Sequence, residues 1–418
     1  MRKQYIFVIG TTDTKGKELL FLKEQIAQRY KYVCIMDVSM GKEPMFEAEV
    51  GPAEIANLGG STIEEVRLSD DRNKITRIME KGAMEKVKQL CAASKVGGVM
   101  AVGGVTMALF GANVMKVVPF GIPKFIVCPG AMPAFVPRWF GAMDMVVMQG
   151  VVDFAGLNPL VKNVLTRAAG AISGMAGGGF GPLPQLPFKS VAMTELGYCE
   201  KCAQLVRSRL EAAGYSVYPF HAQGIGDRAM DDLLRQGFFN AVIDIVPSGV
   251  IEEMFSGTRA AGPDRLEAAG ERGLPQVVTP CSVNITNAGP ERKDAEKYVH
   301  RDRKLKQDEL RILTRYNKDE LVAAARVYAR KLNGARGPVK ILIPGRGWSS
   351  LDRKGSVLHA PEEDKIFTEE LRKNLKHGIE IQEVDCHLED PEFAIELVST
   401  FLQMEKVKRE SSGVRDAQ

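Results

Sequence analysis

Val8–Asp37 reads VIGTTDTKGKELLFLKEQIAQRYKYVCIMD, and Val191–Phe220 reads VAMTELGYCEKCAQLVRSRLEAAGYSVYPF. The two segments align without a gap. Each is a short apolar strand, a polar turn, an amphipathic helix and a second apolar strand. Their turns, Gly10–Gly16 and Met193–Cys199, sit at the carboxyl ends of the first strands. In open parallel sheets ligands collect at such ends. A doubled βαβ start therefore predicts an α/β fold of two similar, doubly wound lobes with mostly parallel sheets and a cleft between them.

The rest of the chain extends the pattern. Tyr5–Ile9 is wholly apolar, as a strand buried on both faces should be. Lys17–Arg29 carries Leu19, Leu22 and Ile26 at helical spacing. Further expected elements are strands at Tyr32–Val38, Gly98–Val102, Pro123–Cys128 and Asp144–Met148, and helices at Arg72–Cys91 and Met107–Val118. Asn158-Pro159 opens another helix, Asn as cap and Pro at the first helical position. Gly174–Pro187 reads as the linker between a Rossmann-like lobe at 1–180 and a second α/β lobe at 188–405. The second lobe's strands are expected at Ser190–Thr194, Ser216–Pro219, Ala241–Val246, Gln276–Thr279, Lys340–Ile343 and Ile379–Val384. A helix over Pro391–Met404 precedes a polar tail at 406–418.

The totals bound the function. At 418 residues the chain is too long for one core, and 45% hydrophobic with 26% charged residues is a soluble globular composition. A net charge of +4 without a dominant basic run argues against nucleic acid. The densest basic stretch, Arg292–Lys306, is interleaved with acids and reads as a solvated surface segment. No apolar run reaches the roughly 18 residues of a membrane helix. Seven scattered cysteines fit reduced thiols, hence a cytoplasmic protein.

Several constellations suit chemistry. Thr11, Thr12, Asp13, Thr14 and Lys15 lie between a strand and a helix, where hydroxyls and free amides favour a phosphate and Asp13 suits Mg²⁺. An ordinary N-cap turn explains the same residues. It is not a Walker A loop, because Glu18 stands where Ser or Thr should hold the metal. Gly103, Gly104 and Thr106 follow the third strand and suit either close ligand approach or tight packing. Cys199-Glu-Lys-Cys202 at a helix start reads as ordinary cysteines, with a redox pair or metal site as the minor alternatives. In the second lobe His221, Glu253, Asn287 and Arg346 all follow strands. They form the best polar cluster available: His221 as acid–base, Glu253 beside it, Arg346 as an anion fork, Asn287 as a ligand donor. Ser349 and Cys281 are the possible nucleophiles.

Ile9-Gly-Thr-Thr-Asp-Thr-Lys-Gly16, Val152-Asp-Phe-Ala-Gly-Leu-Asn158, Ala261-Gly-Pro-Asp-Arg-Leu-Glu-Ala-Ala269 and Ile343-Pro-Gly-Arg-Gly-Trp-Ser349 together resemble a widespread uncharacterised family. It is the one that contains the N-terminal, ATP-binding region of the tomato mosaic virus resistance protein. The resemblance spans roughly residues 4–403. It implies a two-lobed α/β homodimer that binds ATP with Mg²⁺, and Asp13, Lys15, His221, Glu253, Asn287 and Arg346 fall on matching positions. The sequence departs from that family at Gly103-Gly-Val-Thr-Met-Ala108, where a second glycine pair is absent. It departs again at Ala131-Met-Pro-Ala134 with Phe135 and Trp139, which is apolar and bulky, and at Gln223 and Asp227. Three function classes follow: an ATP/Mg²⁺-binding protein with a second anionic ligand at the cleft, an enzyme on a small carboxylated or phosphorylated metabolite without ATP, and a protein-binding module. An exposed patch at Phe135–Trp139 would favour the last.

Overall fold

The computed structural model describes residues 3–41, 43–130, 141–177, 186–187 and 189–412. The chain divides into two compact units, 1–184 and 185–418. The first runs β1 (Tyr5–Gly10), α1 (Thr12–Ala27), β2 (Val33–Asp37), α2 (Pro52–Gly59), α3 (Ile63–Leu68), α4 (Arg72–Ala92), β3 (Val96–Val102), α5 (Val105–Met115), β4 (Lys124–Cys128), β5 (Met145–Gln149) and α6 (Pro159–Gly177). All pairings in its sheet are parallel, in the order β2-β1-β3-β4-β5.

Period-two alternation explains why helices cover both faces. Ile6 and Val8 of β1 point to one side, where Leu19, Leu22 and Ile26 of α1 and Val161, Leu165 and Ile172 of α6 bury them. Phe7 and Ile9 point to the other, against α2, α4 and α5. Each fully buried side chain of this kind contributes about 1.5–3 kcal/mol. The α2–α4 crossing is close because both helices present glycine. A Cβ at Gly82 would lie 1.9 Å from the Ile55 carbonyl oxygen, and one at Gly59 2.2 Å from that of Ile78.

The second unit begins β6 (Ser190–Glu195), α7 (Glu200–Ala212), β7 (Ser216–His221), α8 (Ile225–Arg235), β8 (Ala241–Asp244), α9 (Gly249–Met254), α10 (Ala268–Glu271) and β9 (Gln276–Val278). It continues β10 (Ile285–Asn287), β11 (Lys304–Lys306), β12 (Ile312–Arg315), α11 (Lys318–Asn333), β13 (Val339–Pro344), α12 (Pro361–Asn374), β14 (Glu380–Val384) and α13 (Pro391–Ser412). Its main sheet is also parallel, ordered β14-β13-β9-β8-β6-β7. Read from the second strand of each unit, both sheets follow second, first, third, fourth, fifth. The repeat seen in the sequence is thus a repeat of topology, and each sheet reverses direction between its first and third strands.

Three expectations need correction. The polar turn after β1 is shorter than its sequence suggests: α1 starts at Thr12, with a kink at Lys15 (φ −127°, ψ 24°). A small antiparallel sheet, β10-β12-β11, is inserted in the second unit. It takes up part of Arg292–Lys306, so that stretch is not simply solvated. Arg292 is buried, its guanidinium 3.7 Å from the centroid of the Tyr298 ring. The last helix runs on to Ser412 rather than ending near Met404. Much of the expected linker, residues 178–185, lies outside the described residues, as do Ala131–Ala134, Phe135 and Trp139.

Candidate functional site

In the first unit the switch point lies between β1 and β3, so the residues after those strands are neighbours at one sheet edge. Asp37, at the end of β2, organises the β1 side. Its Oδ1 accepts from the Thr12 N–H (3.1 Å), the Ser39 N–H (3.0 Å) and the Ser39 hydroxyl (2.5 Å). Its Oδ2 accepts from the Thr12 hydroxyl (2.5 Å). Ser39 Oγ in turn accepts from the Asp13 N–H at 3.2 Å. The first amides of α1 are therefore taken by the protein's own groups. Thr11 and Thr14 share a hydroxyl hydrogen bond of 2.7 Å. Of the residues expected to cradle phosphate here, Thr12 is buried and fully engaged.

Two features of this edge remain open. Asp13 Oδ1 is buried without a hydrogen-bond partner among the described residues. On the β3 side, Gly103 has φ +152° and Gly104 begins α5 with no side-chain cap. A Cβ built at Gly104 meets nothing within 4 Å, so the approach to the first amides of α5 is unobstructed among the described residues. Thr106 is exposed in the first turn.

Lys15 and Glu18 perform a task that the sequence did not reveal. Lys15 Nζ donates to the Phe154 carbonyl, and Glu18 Oε1 accepts from the Gly156 N–H at 2.6 Å. Together they clasp the segment after β5 to α1. That segment holds Asp153, exposed at the same sheet edge, and Val151, whose φ of +65° is rare for a β-branched residue. The motif Val152–Asn158 was the available signal, but it names no role without the clasp.

The second unit's edge is filled. Arg265, 1% exposed, reaches Asp244 at 2.7 Å, Asp227 at 3.3 Å and Asp231 at 3.6 Å. Burial pushes Asp227 above the usual carboxylate range and Asp231 up to about 7, while Arg265 pulls both down. Thr194 donates to Asp244 at 2.7 Å and accepts from the Val246 N–H at 2.9 Å. The motif Ala261–Ala269 is thus built around a buried structural arginine.

The four residues expected to form a polar cluster do not converge. His221 ends β7 and Arg346 follows β13, four strand spacings apart in the sheet order, or about 19 Å. Arg346 is exposed, and its fork is already spent on Asp385 (2.9 and 2.7 Å). Glu253 is exposed and accepts from the Gly262 N–H at 3.0 Å. The buried acid is its neighbour Glu252, paired with Arg259 at 2.8 Å. Asn287 is a loop brace: Oδ1 accepts from the Gly289 and Ile312 N–H groups (2.9 and 3.1 Å) and Nδ2 donates to the Leu310 carbonyl at 3.3 Å. His221 is exposed at its strand end.

Neither possible nucleophile is set up as one. Ser349 is buried with its hydroxyl 3.3 Å from Asp352 Oδ1. Asp352 brackets its own loop by accepting from the Trp348, Ser349 and Asn284 nitrogens (3.0, 2.8 and 2.8 Å). His387 Nε2 meets the Ser349 carbonyl at 3.0 Å rather than the hydroxyl. Burial pushes the Cys281 and Cys202 thiols well above their ordinary value, so at Cys202 desolvation outweighs the helix N-terminus.

Fold and site edge define a protein of two doubly wound α/β units, each with a parallel sheet. Two matches then place it. Residues 4–179 match the N-terminal domain of the uncharacterised protein family UPF0261, and residues 189–405 match its C-terminal domain. The chain belongs to that family. It is 33% identical to a UPF0261 protein of Clostridium tetani, over 96% of this chain and 98% of that one. It is 32% identical to one of Brucella suis, over 95% and 94%. It is 29% identical to the ToMV resistance protein Tm-1(GCR237) of Solanum lycopersicum, covering 99% of this chain and 58% of the tomato protein. A UDP-GlcNAc 2-epimerase structure from Methanocaldococcus jannaschii aligns at 8% identity over 66% of this chain and 83% of that one, with a TM-score of 0.22. At that score the likeness carries no functional argument. No helix among the described residues is long and apolar enough to cross a membrane.

Proposed function

We propose that the protein binds a phosphate-bearing ligand, with ATP and Mg²⁺ as the first choice, at the sheet edge of its first unit. The observation that carries this is the Gly103-Gly104 turn. Among the described residues it leaves the start of α5 uncapped and sterically open, while the corresponding amides of α1 are consumed by Asp37 and Ser39. Uncapped amides at a helix start favour an anion. Asp13 fits a hard cation beside it, because its buried Oδ1 lacks a partner among the described residues. No group of three or more His, Cys, Asp or Glu side chains is placed to hold a metal among the described residues. Mg²⁺ would then draw its remaining ligands from phosphate and water, and would neutralise phosphate charge when bound. The second unit's plugged edge supports placing the ligand in the first.

The test is calorimetric titration with ATP in the presence of Mg²⁺, on the wild type and on Gly104→Val. Gly104 has φ −67° and ψ −176°, which any residue adopts, so the variant keeps its fold. Binding weakened at least tenfold with an unchanged melting temperature is expected. No heat and no thermal shift at millimolar ATP would reject the reading. The homodimer that the family resemblance implies belongs to the same proposal and is checked by light scattering. Seven free cysteines support a cytoplasmic setting. An enzyme that uses His221 and Arg346 together is not favoured, given their separation.

A further inference from the structure

We infer that Asp37 makes the first-unit site refuse nicotinamide and flavin dinucleotides, so that its ligand is a phosphate compound whose phosphate rests at the start of α5. This rests on the phosphate-binding reading above and narrows it.

Doubly wound folds that take dinucleotides rely on three features. A free helix start after the first strand holds the pyrophosphate, a glycine there lets the backbone approach it, and an acid at the end of the second strand accepts from the ribose hydroxyls. All three positions have counterparts in this sequence, and in the folded protein all three are closed.

The acid is Asp37, fully buried. A carboxylate has about four lone-pair sites. Thr12 N–H, Thr12 Oγ1–H, Ser39 N–H and Ser39 Oγ–H supply four donors at 2.5–3.1 Å. Oδ1 carries three of them and Oδ2 one, and with the whole carboxylate buried neither oxygen is open to a ribose. The same bonds hold an anion at the start of α1, where a pyrophosphate would have to lie, and Ser39 Oγ takes the next amide, that of Asp13. The glycine is Gly10, and its open side is filled by Leu19, whose Cδ2 would lie 2.7 Å from a Cβ there. A Cβ at Gly104 instead meets nothing within 4 Å among the described residues. The ligand's phosphate is therefore directed to α5, and no sugar is recognised at the end of β2.

The experiment has two arms. Equilibrium dialysis of the full chain with NAD⁺, NADH and FAD, each at millimolar concentration, should show no retention above a buffer control. Hydrogen exchange should show the Thr12 and Ser39 amides protected in the wild type and at least tenfold faster in Asp37→Asn. Should Asp37→Asn fail to fold, Thr12→Val removes one donor of the four, and faster exchange at Ser39 is expected. Retention of NAD⁺ or FAD that Gly104→Val leaves intact would overturn the inference and leave phosphate binding to be judged by the ATP titration. If no nucleotide of any kind binds, the phosphate-binding reading fails. The exchange arm still decides the state of Asp37: wild-type Thr12 and Ser39 amides that exchange as fast as in the variant would overturn it.

Discussion

Replacing Arg265 with methionine should destabilise the second unit by about 3–5 kcal/mol near pH 8, the usual loss when one partner of a buried ion pair is removed. Three carboxylates, Asp227, Asp231 and Asp244, face this single guanidinium, all within 4 Å and all buried. Methionine matches the stem but leaves them without a cation. Linkage sets the pH dependence. Asp231 is raised to about 7 in the folded state, mainly by burial, against roughly 3.9 unfolded. The folded protein thus binds the extra proton between about pH 4 and 7, and stability from this group is greatest in acid and lost as pH climbs to about 7. Without Arg265 the carboxyl values rise further, so the deficit should be markedly smaller at pH 5 than at pH 8. For a unit of this size 3–5 kcal/mol corresponds to about 6–20 °C in melting temperature. Buried Trp348 lies in this unit, and its fluorescence in a Trp139→Phe background follows the melt. A variant as stable as the wild type, or one that loses more at pH 5 than at pH 8, would refute the assignment of Arg265 as the cation that balances these acids.

Three further outcomes are expected. Glu252→Ala should cost about 3–5 kcal/mol by orphaning buried Arg259, whereas Glu253→Ala should stay within about 1 kcal/mol, a contrast read by urea denaturation. Asp13→Ala should abolish the Mg²⁺ dependence of ATP binding in calorimetry while leaving the fold intact; unchanged dependence would remove Asp13 as the cation's ligand. In the native protein a disulfide-exchange reagent near neutral pH should modify Cys34 and Cys91 slowly and leave Cys128, Cys199, Cys202, Cys281 and Cys386 unmodified, with all seven reacting in denaturant. Burial is the cause, since it raises the half-buried Cys34 thiol to about 11. A fast-reacting Cys202 would contradict its burial.

Legibility in the sequence differed sharply between fold and site. Tyr5–Ile9, Lys17–Arg29 and their counterparts at 191–220 announced strand, helix and repeat, because apolar spacing reports which face is buried. The insert β10-β12-β11 is not legible in the sequence because its strands are three or four residues long and two of the three lie among charges. At the sheet edge, residue type misled. Arg346 looked like a free anion fork, yet a neighbouring strand end supplies Asp385. Glu253 draws attention as a strand-end acid, yet adjacent helical positions face different ways, and it is Glu252 that the fold buries.

By itself the sequence determined the repeated βαβ order, the parallel sheets and the positions of the strand-end loops. These follow from periodicity and turn chemistry, which are local. Which loop amides remain free was decided only by tertiary structure. Asp37, Ser39 and Leu19 close the α1 start, and Arg265 with its three acids plugs the second sheet, through contacts between residues distant in the chain. A polar side chain's availability is whatever its neighbours in space leave unsatisfied, and no spacing along one chain segment records that.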